Sequence, residues 1–349
     1  MLQSNPPGID TVHAVARLQR VHAPGRVNLI GDHTDYTGGL VFPMAIDRGT
    51  TIEYEPQPSR LTLVSDVEPE RVDISLPVHD DPSTVTPAWG TYVAAMAHEL
   101  ASTSGLAGTV TSTIPSGAGL SSSAALECAI GLALGFSGSA TELALTARRA
   151  EHAATGVPTG IMDQLCIAAA TAGHATMIDC TTLAVTRTPI PDEVDIVVEF
   201  VAHRTLLGSA YGDRVAECER AEQVIGPLRS ADPDRVGASR GILDDTARRR
   251  ARHVVTENER VRSFAAALAA GDYGTAGRLM TESHASLRDD FDTSTPIMDA
   301  AVERLVHSPG VFGARMTGGG FGGCVVALTE PGAVDSGWTV RPSAGARHL

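Results

Sequence analysis

The run Met316-Thr317-Gly318-Gly319-Gly320-Phe321-Gly322-Gly323-Cys324 constrains this chain more than any other segment. Five glycines fill the six positions after Thr317. Such density costs backbone entropy and suits only positive φ angles or very close packing. The spacing is not the dinucleotide fingerprint, and no ribose-binding acid follows about 20 residues on. A tight turn packed against another glycine loop is predicted, leading into an apolar strand over 324–328. A second glycine-rich loop is Pro115-Ser116-Gly117-Ala118-Gly119-Leu120-Ser121-Ser122-Ser123-Ala124, opening into a helix-prone stretch over 122–134. Its glycines admit close backbone approach, and amides at a helix start offer N–H donors to an anion such as a phosphate. Three serines add hydroxyls, one of which could ligate magnesium. Alone, the loop reads equally well as a connector.

Composition removes whole classes of chemistry. All 27 basic residues are arginine; there is no lysine. A Walker-A loop, the strand lysine of a protein kinase and a Schiff-base lysine are therefore excluded. Against 41 acidic residues the net charge is −14, which argues against a nucleic-acid partner. The length, 349 residues, suits two domains or one large one, and 43% hydrophobic content argues against disorder. No apolar run approaches the roughly 20 residues of a membrane span, and the first residues lack the pattern of a secretory signal. Five scattered cysteines fit neither a disulfide framework nor a zinc site. A cytoplasmic protein is expected.

Short strands are predicted over 51–54, 61–64 and 72–76, with a helix over 89–100 and an alternating stretch over 108–114. Helices follow near 142–155 and 161–170, then a buried strand over 194–201. Beyond Tyr211, arginine and glutamate dominate long helical segments near 213–225, 244–270 and 272–286, whose charge reads as solvated helix surface. A soft boundary near 187–195 divides a unit over 1–190 from one over 191–349.

Two further constellations carry chemistry. In Gly25-Arg26-Val27-Asn28-Leu29-Ile30-Gly31-Asp32-His33-Thr34-Asp35-Tyr36, an arginine, two carboxylates, a histidine and a tyrosine crowd together beside turn glycines. Carboxylates grip hydroxyl-rich ligands such as sugars. Asp32, His33 and Asp35 could instead be metal ligands of a hydrolase, or caps of a turn beside a strand. In Glu151-His152-Ala153-Ala154-Thr155-Gly156-Val157-Pro158-Thr159-Gly160-Ile161-Met162-Asp163-Gln164, two carboxylates twelve residues apart flank a Gly/Pro turn and can converge. One could bind magnesium and the other act on a substrate hydroxyl; both could equally be helix N-terminal carboxylates. Asp163 sits among apolar neighbours and calls for a charged partner, which an arginine would supply.

Together these segments resemble the GHMP family of small-molecule kinases and, within it, the galactokinases. Residues 25–36 resemble the sugar-binding signature, 115–124 a phosphate motif that needs no lysine, 160–164 the segment of the catalytic aspartate, and 317–324 the third motif. Similarity continues at Trp89 and Tyr92, over 203–211, at Arg252-His253-Val254-Val255 and through 283–288, in order along nearly the whole chain. The resemblance implies an α+β, two-domain GHMP kinase fold: an N-terminal domain like ribosomal protein S5 domain 2, a ferredoxin-like C-terminal domain, and the site between them. It implies ATP-dependent phosphorylation of a sugar's anomeric hydroxyl, galactose first. Asp163 would be the base, and Arg26 its charge partner and a stabiliser of the transferring phosphoryl group. Ser123 and Glu151 would hold Mg2+. Pro115 and residues Gly117, Ala118, Gly119, Leu120, Ser121, Ser122 and Ser123 would receive ATP, with Trp89 near the adenine. Asp32, His33, Asp35, Gly160 and Tyr211 would surround the sugar. A kinase for another hexose or a galactose altered at the sixth carbon is the alternative, as is a catalytically silent sugar-binding regulator.

Two departures stand out. Galactokinases carry glutamate where this chain has Asp32, the residue the resemblance sets on the hydroxyl of the sugar's sixth carbon. The family also supplies a helix before its last strand, and here residues 329–336 pass almost directly to Trp338. A missing helix would bare apolar sheet, drawing compensating packing or a partner; a monomer is expected, with an oligomer left open.

Overall fold

The computed structural model describes residues 18–115, 117–203 and 209–349. In the first half run strands β1 (Gln19–Asn28), β2 (Leu40–Val41), β3 (Pro43–Gln57), β4 (Arg60–Ser65) and β5 (Val72–Ser75). Helix α1 (Gly90–Glu99), β6 (Gly105–Ser112), helices α2 (Ser122–Ala133), α3 (Ala140–Thr155) and α4 (Met162–Ala169), and strands β7 (His174–Asp179) and β8 (Ala184–Pro189) follow. Next come β9 (Asp195–Ala202) and helices α5 (Ser209–Ile225), α6 (Pro233–Ala238), α7 (Asp245–Ala269), α8 (Tyr273–Asp289) and α9 (Pro296–Val306). Strands β10 (Val311–Thr317), β11 (Gly323–Thr329), β12 (Trp338–Val340) and β13 (Arg347–His348) close the chain.

Six strands form a mixed sheet in the order β13-β1-β3-β6-β4-β5, in which only β4 and β6 run parallel. Helices α1 to α4 bury their apolar faces with it, so Val21, Ile52, Val93 and Ile130 share one core. Strand β1 is interrupted in sequence by Pro24-Gly25, which ordinarily demotes a strand. A register shift between Pro24 and Arg26 accommodates the pair. The bulge re-aims the following side chain, and that side chain is Arg26.

Four antiparallel strands, β10-β11-β9-β12, make a second sheet with α8 and α9 packed on it, and β2-β7-β8 make a third. Long helices α7 and α8 begin at side-chain caps from Asp244 and Asp272. The connection from β11 to β12 contains no helix, as the sequence suggested. Its backbone is fastened instead: Gly332 N–H donates to Asp195 at 2.9 Å and Ser336 Oγ to Glu199 at 2.6 Å. None of the exposed large hydrophobic residues among those described lies on this sheet. The final residues return to the first sheet, where His348 pairs with Val21 and Arg347 with His22.

Candidate active site

The end of β1, the glycine loop and the start of α4 meet at one ion pair. Arg26 Nε lies 2.7 Å from Asp163 Oδ1, and Nη2 lies 2.7 Å from Oδ2. The third guanidinium nitrogen, Nη1, donates to the Gly119 carbonyl at 2.7 Å, and the Arg26 amide donates to Leu120 O at 3.1 Å. That approach requires Gly25: a Cβ there would sit 2.7 Å from Leu120 O. Burial works against the Arg26 charge, but the contacts with Asp163 and the field of Asp32 hold its pKa above the ordinary value. Ser121, in the left-handed region at φ 63°, donates its hydroxyl to Asp163 Oδ2 at 2.6 Å. A non-glycine residue held there stores strain for a purpose. The hydroxyl that would ordinarily cap α2 serves the carboxylate, so the first-turn amides of α2 have no side-chain cap.

Beside this pair, Ser123 Oγ donates to Glu151 Oε1 at 3.0 Å. Gln164 Nε2 bridges Glu151 and the fully buried Glu127. Burial, then the nearby Asp163, pushes Glu151 up, and Glu127 rises well above the usual carboxylate range through burial and Glu151. The same surroundings raise Tyr92 to about 12.

The loop after β1 forms the other wall. Asp32, 1% exposed, makes an ion pair with buried Arg315, Oδ2 to Nη1 at 2.7 Å, and its Oδ1 accepts from the Gly318 amide at 3.1 Å. His33 sits at φ 64° with its ring 4.8 Å from Phe291 and 5.5 Å from Tyr211; its Nδ1 lies 3.1 Å from the Tyr36 hydroxyl. Asp35 lies against Gly160 so closely that a Cβ there would fall 1.8 Å from Asp35 Oδ2. Burial, then Asp163 and Asp32, lifts Asp35 to about 7. Both walls enclose one cavity of about 710 Å³, whose lining includes Arg26, Asp32, Asp35, Ser123, Glu151, Asp163 and Gly318. Arg26 is the only arginine among its described lining residues, against four carboxylates.

The chain is similar to known proteins along most of its length. The galactokinase galactose-binding signature matches residues 13–56, the GHMP kinase N-terminal domain 89–173 and the GHMP kinase C-terminal domain 264–339. Galactokinase from Bos taurus is 44% identical over 90% of this chain and 84% of its own length. The Roseiflexus enzyme is 43% identical with the same coverage. The chain belongs to the galactokinases of the GHMP kinase family. The Lactococcus lactis galactokinase solved with galactose superposes with a TM-score of 0.89 at 31% identity, covering 95% of each chain. A mevalonate kinase shares the fold alone, at TM-score 0.65 and 20% identity. The α+β GHMP kinase fold expected from sequence is the fold found.

In this galactokinase most of the expected site residues converge. Arg26, Asp32, His33, Asp35, Gly117, Gly119, Ser121, Ser122, Ser123, Glu151, Gly160, Asp163 and Tyr211 all line the cavity. Ala118 and Leu120 are buried behind it and, like Pro115, are not in its lining. Trp89 is placed elsewhere: it is buried in the core with its indole N–H on Glu70 O at 2.8 Å, and Tyr92, three residues on, lines the cavity instead. The glycine turn after Thr317 does not rest on the phosphate loop in the contacts described. Phe321 N–H donates to Thr293 O at 2.8 Å, and a Gly320 Cβ would meet that same carbonyl at 2.5 Å. Both glycine loops border the one cavity. Sequence reasoning missed Arg315, Gln164, Glu127 and Phe291. For Arg315 a signal existed, a lone charge inside an apolar strand, because a buried charge demands a partner.

Proposed function

We propose that this chain transfers the γ-phosphoryl group of ATP to the anomeric hydroxyl of galactose, giving galactose 1-phosphate and ADP. The carrying observation is the bidentate Arg26–Asp163 pair in a cavity that also holds the phosphate loop and the Asp32–Asp35 loop. Asp163 accepts from three donors, so its carboxylate is fixed in orientation beside the cavity. It would take the hydroxyl proton, or hold the hydroxyl in line, as the sugar oxygen bonds to phosphorus and the bond to the ADP oxygen breaks; a loose transition state permits either. Arg26 is the side-chain cation available to charge developing on the phosphoryl oxygens. Amides of the loop and the first turn of α2 suit the ATP phosphates. His33, Asp35, Gly160 and Tyr211 would frame the sugar, with Asp32 reaching it from its pair with Arg315.

Ser123 and Glu151 fit a Mg2+ ion. They offer oxygen donors only, face the cavity, and include a carboxylate that burial leaves without a cation beside it. Among the described residues no group of three or more His, Cys, Asp or Glu is disposed to hold a metal, so phosphates and water would complete the shell. When bound, the ion would offset phosphate charge in a cavity with four carboxylates. This also leaves the hydrolase reading of Asp32, His33 and Asp35 without support. Among the described residues, no helix is long and apolar enough to cross a membrane. The reading includes a cytoplasmic location, and units over 1–190 and 191–349 tied together by the return of β13 to β1.

Measuring ADP release over a panel of free sugars tests the proposal. Galactose is expected to give the highest kcat/KM. A different hexose, or a galactose altered at the sixth carbon, in that place would overturn the substrate, and silence on every sugar would overturn the enzyme.

A further inference from the structure

Helix α7 buries a polar face that no step of the transfer uses. His253, Glu257 and Asn258 are each 3% exposed or less and none lines the cavity. Buried polar groups need partners, and these three find theirs in the loop between Gly31 and Leu40. Gly31 N–H donates to Glu257 Oε1 at 3.0 Å, and Leu40 N–H donates to Asn258 Oδ1 at 2.8 Å. His253 Nε2 lies 3.1 Å from the Asp32 carbonyl oxygen. A carbonyl can only accept, so Nε2 carries the proton, and Nδ1 accepts from the Ser286 hydroxyl at 2.9 Å on α8. The His253 ring also lies 4.6 Å from Phe291, which itself lies 4.8 Å from His33. One helix therefore fixes both ends of the loop, at Gly31 and Asp32 and at Leu40.

We propose that His253, Glu257 and Asn258 are positioning residues for the sugar, setting the 31–40 loop and through it the placement of Asp32, His33 and Asp35. The inference rests on the proposed function only in taking that loop to bind the sugar. No hydrogen bond of this clasp reaches the Arg26–Asp163 pair or the phosphate loop. Loosening it should weaken galactose binding and spare ATP. A merely structural role would lower stability and move both substrates together.

Full-length wild type, Asn258→Ala, Asn258→Asp and Ser286→Ala are compared for galactose KM, ATP KM and kcat. Asn258→Ala deletes the hydrogen bond from the Leu40 amide and the one to Val254 O, and is expected to raise galactose KM about tenfold, with ATP KM and kcat per folded molecule within about twofold. Asn258→Asp keeps the Oδ1 acceptor but loses the Nδ2 donor to Val254 O, so it should recover part of the loss. Ser286→Ala frees the His253 ring and should raise galactose KM about threefold. If Asn258→Ala does not fold, Ser286→Ala decides alone. A galactose KM that stays at the wild-type value, or an ATP KM that rises in step with it, overturns the clasp while wild type still turns over galactose. Wild type silent on galactose overturns the reading of the loop, and the clasp with it.

Discussion

The two walls of the cavity are built by different means. The wall proposed to take phosphate draws on residues 26 to 164: Arg26 holds Gly119 and Asp163, Ser121 holds Asp163, and Ser123 holds Glu151. The wall proposed to take the sugar is a short loop fastened to residues 218 to 226 positions away in sequence, at Glu257, Asn258 and His253. Arg315 and Gly318 add contacts from the second sheet to Asp32. Handling phosphate needs backbone amides and one well-held charge pair, which neighbouring elements of one half can supply. Distinguishing one sugar from another needs several side chains held in register, and here that register is a tertiary property. Damage to the first wall should therefore fall on turnover, and damage to the second on sugar affinity.

The largest effect tests the phosphate wall. Asp163→Asn keeps the shape but replaces an acceptor of three hydrogen bonds by an amide that cannot satisfy both guanidinium nitrogens. We expect kcat to fall by about a thousandfold or more, within the range that general-base and electrostatic contributions reach together. ATP binding, read by calorimetry, should change little, since the proposal gives the phosphates to loop amides and the start of α2. Near-normal turnover would show that the two walls do not divide the work in this way.

A smaller effect probes the other wall. Asp32→Glu adds one methylene to a side chain 1% exposed and already 2.7 Å from Arg315. Overpacking at such a site costs about 1–3 kcal/mol, which chemical denaturation would register. Turnover with galactose should persist, because the substitution installs the family's own residue and leaves Asp163 alone. A kcat loss as large as that of Asp163→Asn would erase the contrast between the walls.

Legibility in the sequence followed the same division. The phosphate loop and the Asp163 segment could be read because their signals are local: glycines and serines before a helix, and a carboxylate among apolar neighbours. Long helices α7 and α8 were legible from their periodicity, with boundaries within a few residues of the structure. Strand β1 was not, since Pro24-Gly25 reads as a turn and only pairing with β3 across a bulge keeps it extended. Arg315 and the polar face of α7 stayed hidden for a different reason. Charge on a helix is usually solvated, and nothing within a few residues of Glu257 or His253 shows that a loop near the start of the chain will cover them. Trp89, which the resemblance sets near the adenine, is not among the residues lining the cavity, whereas Tyr92 is.

The smallest effect concerns Asp35, where the walls meet. Its carboxyl is raised to about 7 by burial, then by Asp163 and Asp32, so the folded protein holds a proton there that the unfolded chain has released. Where the folded state binds more protons than the unfolded state, stability falls as pH rises. This contribution is full below the ordinary carboxylate pKa and is lost as pH climbs to about 7. Asp35→Asn removes the titration, so its melting temperature should fall less than that of wild type across the same window. The amide is isosteric with the carboxyl it replaces, so the fold should be kept. Parallel curves for the two proteins would mean that Asp35 is ionised at neutral pH, and that the sugar wall presents a charge there rather than a proton.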